Sequence, residues 1–168
     1  MNRWIRLLKH RWLDERDTHR ALGPEALARL QQRVADSERH HSGEIRVCVE
    51  AGLPLSYLRR NATAHERAVT MFGKLRVWDT AHNNGVLIYL LLAEHAIEIV
   101  ADRGLNDRVS AEQWRALVAG MAAAFKAGRF EEGLNEAIDA VGTLLTQHFP
   151  LREGEANPNE LPDAPDIG

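Results

Sequence analysis

Trp78-Asp79-Thr80-Ala81-His82-Asn83-Asn84-Gly85-Val86-Leu87-Ile88-Tyr89-Leu90-Leu91-Leu92 joins a polar, turn-forming segment to an apolar run. The eight residues Val86 to Ala93 carry no charge and are mostly branched or aromatic. A short apolar run bounded by turn signals reads as a strand buried on both faces. The residues before it, Asp79, His82, Asn83 and Asn84, are types that shape turns or bind ligands. A central strand with a polar cluster at its amino end is therefore expected.

Working outward, Glu44 to Glu50 alternates: Ile45, Val47 and Val49 against Glu44, Arg46, Cys48 and Glu50. This predicts a strand with one core face and one wetter face. Downstream, Ala93-Glu94-His95 is a tight connection into Ala96–Ala101, which predicts an antiparallel hairpin. Asp102 to Asp107 reads as a loop.

Helices fill the remainder. Pro24-Glu25 starts one that runs to about Arg39, proline and an acid both suiting a helix's first turn. Thr63-Ala64-His65-Glu66 and Ser110-Ala111-Glu112-Gln113 are capping boxes. They open helices to about Leu75 and Ala127, and Gly128 suits the second helix's end. Phe130 to Gln147 is the last helix. The order α-α-β-α-β-β-α-α, with a strand–helix–strand crossover, predicts parallel first and second strands and an antiparallel third. The fold class is α/β, a three-layer α/β/α sandwich on a small mixed sheet whose central strand spans about 85–92.

Three segments divide the chain: an N-terminal amphipathic helix (1–22), the α/β/α domain (23–150) and an acidic, proline-containing tail (151–168). In the first, Trp4, Ile5, Leu8 and Trp12 share a face bordered by Arg3, Arg6, Lys9 and Arg11. Packing of the tryptophans on the domain is the expected role, and peripheral contact with an anionic membrane surface is the alternative. The tail is expected to be solvated, with Asn159 to Asp163 docking as a peptide as the alternative.

The 168 residues are 45% hydrophobic and 27% charged, with a formal net charge of -3. That suits one domain able to bury roughly 70% of its unfolded surface. The sign is uneven: residues 1–20 hold six Arg/Lys against three acids. Cys48 is the only cysteine, which excludes an internal disulfide and fits a reducing compartment. The apolar runs are too short to span a bilayer, and the start has no secretory h-region. A cytoplasmic protein is expected, peripheral to the inner face of the membrane if the first helix docks there. No basic face interleaved with aromatics suggests nucleic acid. Dinucleotide, P-loop, nucleophile-elbow and zincin motifs are missing. His40-His41 is too little for a zinc site.

The topology gathers polar residues at one rim. Glu44 begins the first strand, Asp79, His82, Asn83 and Asn84 precede the second, and Asp102 and Asp107 follow the third. Oxygen-rich clusters of this kind suit calcium or magnesium. Candidate metal ligands are Glu44, Asp79, Asn83, Asn84, Asp102 and Asp107. For phosphoryl chemistry the candidates are Asp79, Asp102 and Arg103. The opposite strand ends offer Glu50, Glu94 and His95, with Arg67 nearby, a smaller set. No cofactor is required by the residues themselves.

Gly43-Glu44-Ile45, Arg67-Ala68, Asn84 to Ile88, Ile97 to Gly104, Phe125 to Phe130 and Glu132-Gly133-Leu134 occur in the order of the TPM-domain family, which the chain resembles over roughly 24–150. That family includes thylakoid-lumen phosphatase-like and photosystem-repair relatives. Trp78-Asp79-Thr80 and the Asn-Glu-Leu-Pro-Asp tail resemble its bacterial branch of uncharacterised proteins. The resemblance implies an α/β/α sandwich, a proposed acid-phosphatase activity and calcium binding in some relatives; the partner expected for an accessory role is a membrane-associated protein complex. Two readings stand: an accessory module binding a divalent cation or small anion at the rim, and a metal-assisted acid phosphatase.

Overall fold

A computed structural model describes residues 3–13 and 15–168, with side chains described from residue 6 onward except at 14 and 15. The helices are α1 (Arg3–Trp12), α2 (Glu15–Ala21), α3 (Pro24–Glu38), α4 (Leu55–Arg59), α5 (Ala64–Lys74), α6 (Arg103–Asn106), α7 (Ala111–Lys126) and α8 (Phe130–His148). The strands are β1 (Glu44–Glu50), β2 (Gly85–Leu91), β3 (Ala96–Ala101) and β4 (Asp166–Ile167). The sheet order is β3-β2-β1-β4. β1 and β2 run parallel with Glu44 opposite Gly85, and β3 returns antiparallel with Ala101 opposite Val86.

The molecule is an α/β/α sandwich. On one face Ile45, Val47, Val49, Val86, Ile88 and Leu90 meet apolar side chains of α3, α7 and α8. On the other, Cys48, Leu87, Tyr89 and Leu91 meet α4 and α5. Both capping boxes form: Thr63 with Glu66, and Ser110 with Gln113. Each satisfies two of the amides that open a helix.

Several expectations are corrected. β1 has no wet face, since all seven residues are buried. Its polar side is covered by α5 and by the C-terminal segment. That segment is docked, with Leu161 buried and β4 pairing parallel to β1. The peptide-docking alternative for residues 159–163 therefore holds over the solvated tail. The hairpin turn is a 3₁₀ turn at Leu92–Glu94 closed by His95 at φ 49°. The expected 102–107 loop contains the single-turn α6.

Helix α1 docks by a different side from the one expected. The predicted apolar face includes Leu8 and Trp12, which are 58% and 81% exposed. The side chains of Trp4 and Ile5 lie outside the described residues. The docked side carries Leu7, Arg6 and His10. Arg6 Nε donates to Glu94 at 2.7 Å and its Nη2 to the Ala62 carbonyl at 2.6 Å. The Leu53 N–H donates to His10 Nδ1 at 2.9 Å. His10 therefore carries its proton on Nε2, which lies 3.0 Å from Glu94 Oε1 and donates to it.

Candidate functional site

The polar rim is built by tight packing of residues 77–84 on the start of β2. At Gly85 a Cβ would lie 2.0 Å from the Val77 carbonyl oxygen, so only glycine lets the loop come this close. Thr80 organises the turn: its carbonyl accepts from Asn83 N at 3.2 Å and its Oγ1 from Asn84 N at 3.1 Å. Asn83 sits at φ 51°, the left-handed region that asparagine tolerates. Asn84 is fully buried, and its Nδ2 donates to the Ser42 carbonyl at 3.1 Å, linking this loop to the entry of β1.

The third wall follows β3. Asp102 N donates to the Gly85 carbonyl at 2.9 Å. The Asp102 side chain caps α6, with Oδ1 accepting from Arg103 N at 2.7 Å. Gly104 N donates to the Asn83 carbonyl at 2.9 Å, and a Cβ there would lie 2.6 Å from that oxygen. Arg103 Nη2 donates to Asn83 Oδ1 at 3.1 Å.

Glu44 is fully buried at the start of β1. Its Oε2 accepts from Leu161 N at 3.0 Å, so the C-terminal segment closes one side of the rim. Burial pushes its carboxyl above the ordinary carboxylate range, against two backbone donors that pull it down. Glu160 accepts from Ala81 N at 3.1 Å and ties the same segment to the loop before β2.

Three buried oxygens at this rim have no donor: Glu44 Oε1, Asn84 Oδ1 and Asp102 Oδ2. They come from three different segments at the ends of adjacent strands. Asp79 and Asp107 belong to the rim in sequence but face solvent. Asp79 lies 3.7 Å from Arg76, and Asp107 caps the end of α6 through its backbone. His82 and His40 are also exposed, whereas His41 is buried and bonded to Ser37 and the Gly43 carbonyl. Among the described residues, no three His, Cys, Asp or Glu side chains converge in a geometry that could hold a metal ion by themselves. An oxygen site here would need Asn84, backbone carbonyls or water beside the carboxylates.

The TPM-domain family model matches residues 16–144. The chain belongs to the TPM-domain family. Among solved structures, the chain is similar to the BA42 protein of the psychrophilic bacterium Bizionia argentinensis. It is 31% identical, with TM-score 0.75, covering 88% of this chain and 95% of that one. The N-terminal domain of a protein from P. gingivalis shares the fold at 18% identity and TM-score 0.63, over 78% and 82% of the two chains. A comparison with curated proteins finds no match.

This TPM domain also holds a polar cluster at the opposite strand ends, which sequence reasoning rated as the lesser one. Arg67, on α5, donates from Nε to Glu50 Oε2 at 2.8 Å and from Nη2 to Oε1. Tyr89 Oη donates to Glu50 Oε2 at 2.7 Å. Its hydroxyl is pushed far above the ordinary phenol range, mainly by burial, as is the Cys48 thiol 3.6 Å from Asp166. A thiol held neutral in this way is no nucleophile. The clue was the polar half of β1's alternation, which needs partners once it is buried. Glu38, on α3, was missed outright. Its Oε1 accepts from Ile45 N at 2.8 Å, and burial pushes its pKa up to about 8.

Proposed function

We propose that this TPM domain is an accessory binding module that takes a hard divalent cation, calcium or magnesium, at the Glu44–Asn84–Asp102 rim. The observation that carries the reading is the set of three buried, donor-less oxygens there. A buried acceptor without a partner costs about 1–3 kcal/mol. Three at one sheet edge are better explained by a partner from outside than by three separate defects. Calcium accepts carboxylate, amide and carbonyl oxygens in flexible geometry, and magnesium retains several waters, so a set of two carboxylates and an amide suits either. Ligation needs the ionised Glu44 carboxyl, which burial disfavours, so cation uptake strengthens as pH rises. In the cell we place the module on the cytoplasmic side, beside a membrane-associated complex.

The test is calorimetric titration with calcium and with magnesium. Wild type should bind one of them, and Asp102→Asn, which keeps the helix cap, should weaken binding roughly tenfold or more. Silence of wild type with both ions would end the reading. The second reading, a metal-assisted acid phosphatase, rests on the exposed Arg103 guanidinium, which donates to Asn83 at this rim and is a cationic group suited to phosphoryl oxygens. It requires turnover of a generic phosphomonoester that Asp79→Ala/Asp102→Ala abolishes.

A further inference from the structure

We infer that α1 is a membrane-docking element that binds an anionic phospholipid surface through Leu8 and Trp12. The argument is geometric. At ~100° per residue, Arg6, Leu7 and His10 lie on one side of α1, and Leu8 and Trp12 point the opposite way. The first side is fixed to the domain by Glu94, the Ala62 carbonyl and the Leu53 N–H. The apolar stripe is therefore presented outward, and its exposure reflects how the helix is anchored. An exposed indole and leucine side by side form an apolar patch of the kind that marks an interaction site.

Lys9 and Arg11 flank the stripe on either side and are exposed. Apolar surface continues beyond it. Leu55, 51% exposed, shares a recess with Leu8 on one flank. On the other a groove of about 640 Å3 runs between Trp12 and the Leu92–Phe130 wall. Asp17, which also lines the groove, pairs with Arg20 at 3.1 Å.

Charge complementarity selects the occupant. The first 20 residues carry six Arg/Lys against three acids in a chain whose net charge is -3. Of these, Lys9 and Arg11 border the apolar stripe, whereas Arg6 is paired with Glu94 on the docked side. An indole beside lysine and arginine suits the headgroup boundary of an anionic leaflet. Each basic residue near such a surface adds attraction that salt screens. No helix among the described residues is long and apolar enough to cross a membrane, so the contact is interfacial. The inference does not depend on the cation reading.

The experiment is co-sedimentation of the full chain with phosphatidylglycerol-containing vesicles and with pure phosphatidylcholine vesicles, in chelator so that divalent ions play no part. Wild type should sediment with the anionic vesicles and release as salt rises. Leu8→Ser/Trp12→Ser should lower the partition roughly tenfold or more. Lys9→Gln/Arg11→Gln should do the same on anionic vesicles only. All four side chains are exposed, so the circular dichroism of both variants should match wild type. The inference is overturned if wild type stays in the supernatant, or if Leu8→Ser/Trp12→Ser sediments like wild type. It is equally overturned if wild type is a dimer without vesicles and that variant is a monomer, which would make a second copy the occupant.

Discussion

The guanidinium of Arg67 and the carboxylate of Glu50 meet side by side beneath the carboxyl ends of the parallel strands, both more than nine-tenths buried. Each satisfies the other in a fork, and Tyr89 supplies a further donor to the carboxylate. Breaking a buried pair leaves one charge without compensation. Arg67→Ala or Glu50→Ala is therefore expected to cost about 3–5 kcal/mol in urea unfolding. Glu50→Leu/Arg67→Met, which removes both charges and keeps the volume, should cost far less than either single change. Equal losses in all three variants would refute an account based on unpaired charge.

Glu94 anchors α1. Its pKa is pulled down to about 2, first by the His10 hydrogen bond and then by Arg6. A depressed carboxylate contributes stability that is present above its ordinary value of 4.5 and lost as pH falls through about 2. Glu94→Gln should loosen the helix locally at neutral pH. Hydrogen exchange in α1 should accelerate by about tenfold or more, while α3 and β2 are unaffected.

Glu38 titrates in the other direction. Folding raises its pKa to about 8, so it keeps its proton where the unfolded chain, near 4.5, has lost it. Its contribution is full below 4.5, declines as pH rises and is exhausted once pH passes about 8. The urea midpoint should fall across that window, and Glu38→Gln should flatten the slope. An unchanged slope in the variant would assign the pH dependence to other groups.

Gly85→Ala tests the seat of the 77–84 loop. The added methyl meets a backbone oxygen, which cannot rotate aside. The loss should reach about 3 kcal/mol, at the upper end of overpacking costs. Cation uptake should weaken along with it, because the same loop carries Asn84. Gly73→Ala, at a helical position with open space around it, is the control and should be neutral or slightly stabilising.

What the sequence determined by itself was local. Capping boxes at Thr63 and Ser110, the charge-free run from Val86 and the alternation of Ile45, Val47 and Val49 depend on neighbours a few residues away. Those patterns sufficed for the α/β/α sandwich, and strand direction then brought Glu44, Asn84 and Asp102 to one edge. Tertiary structure decided which of the rim residues are buried and which, like Asp79 and Asp107, are left in solvent. It also decided which side of α1 meets the domain, because the anchors Arg6 and His10 find Glu94 more than 80 residues away. The same holds for the C-terminal segment, whose composition reads as solvated. It is docked because Arg46 reaches its Pro162 and Ala164 carbonyls, and Glu44 accepts from its Leu161 amide. Period and capping are written in adjacent residues, whereas the partner of a buried charge is set only when distant segments pack.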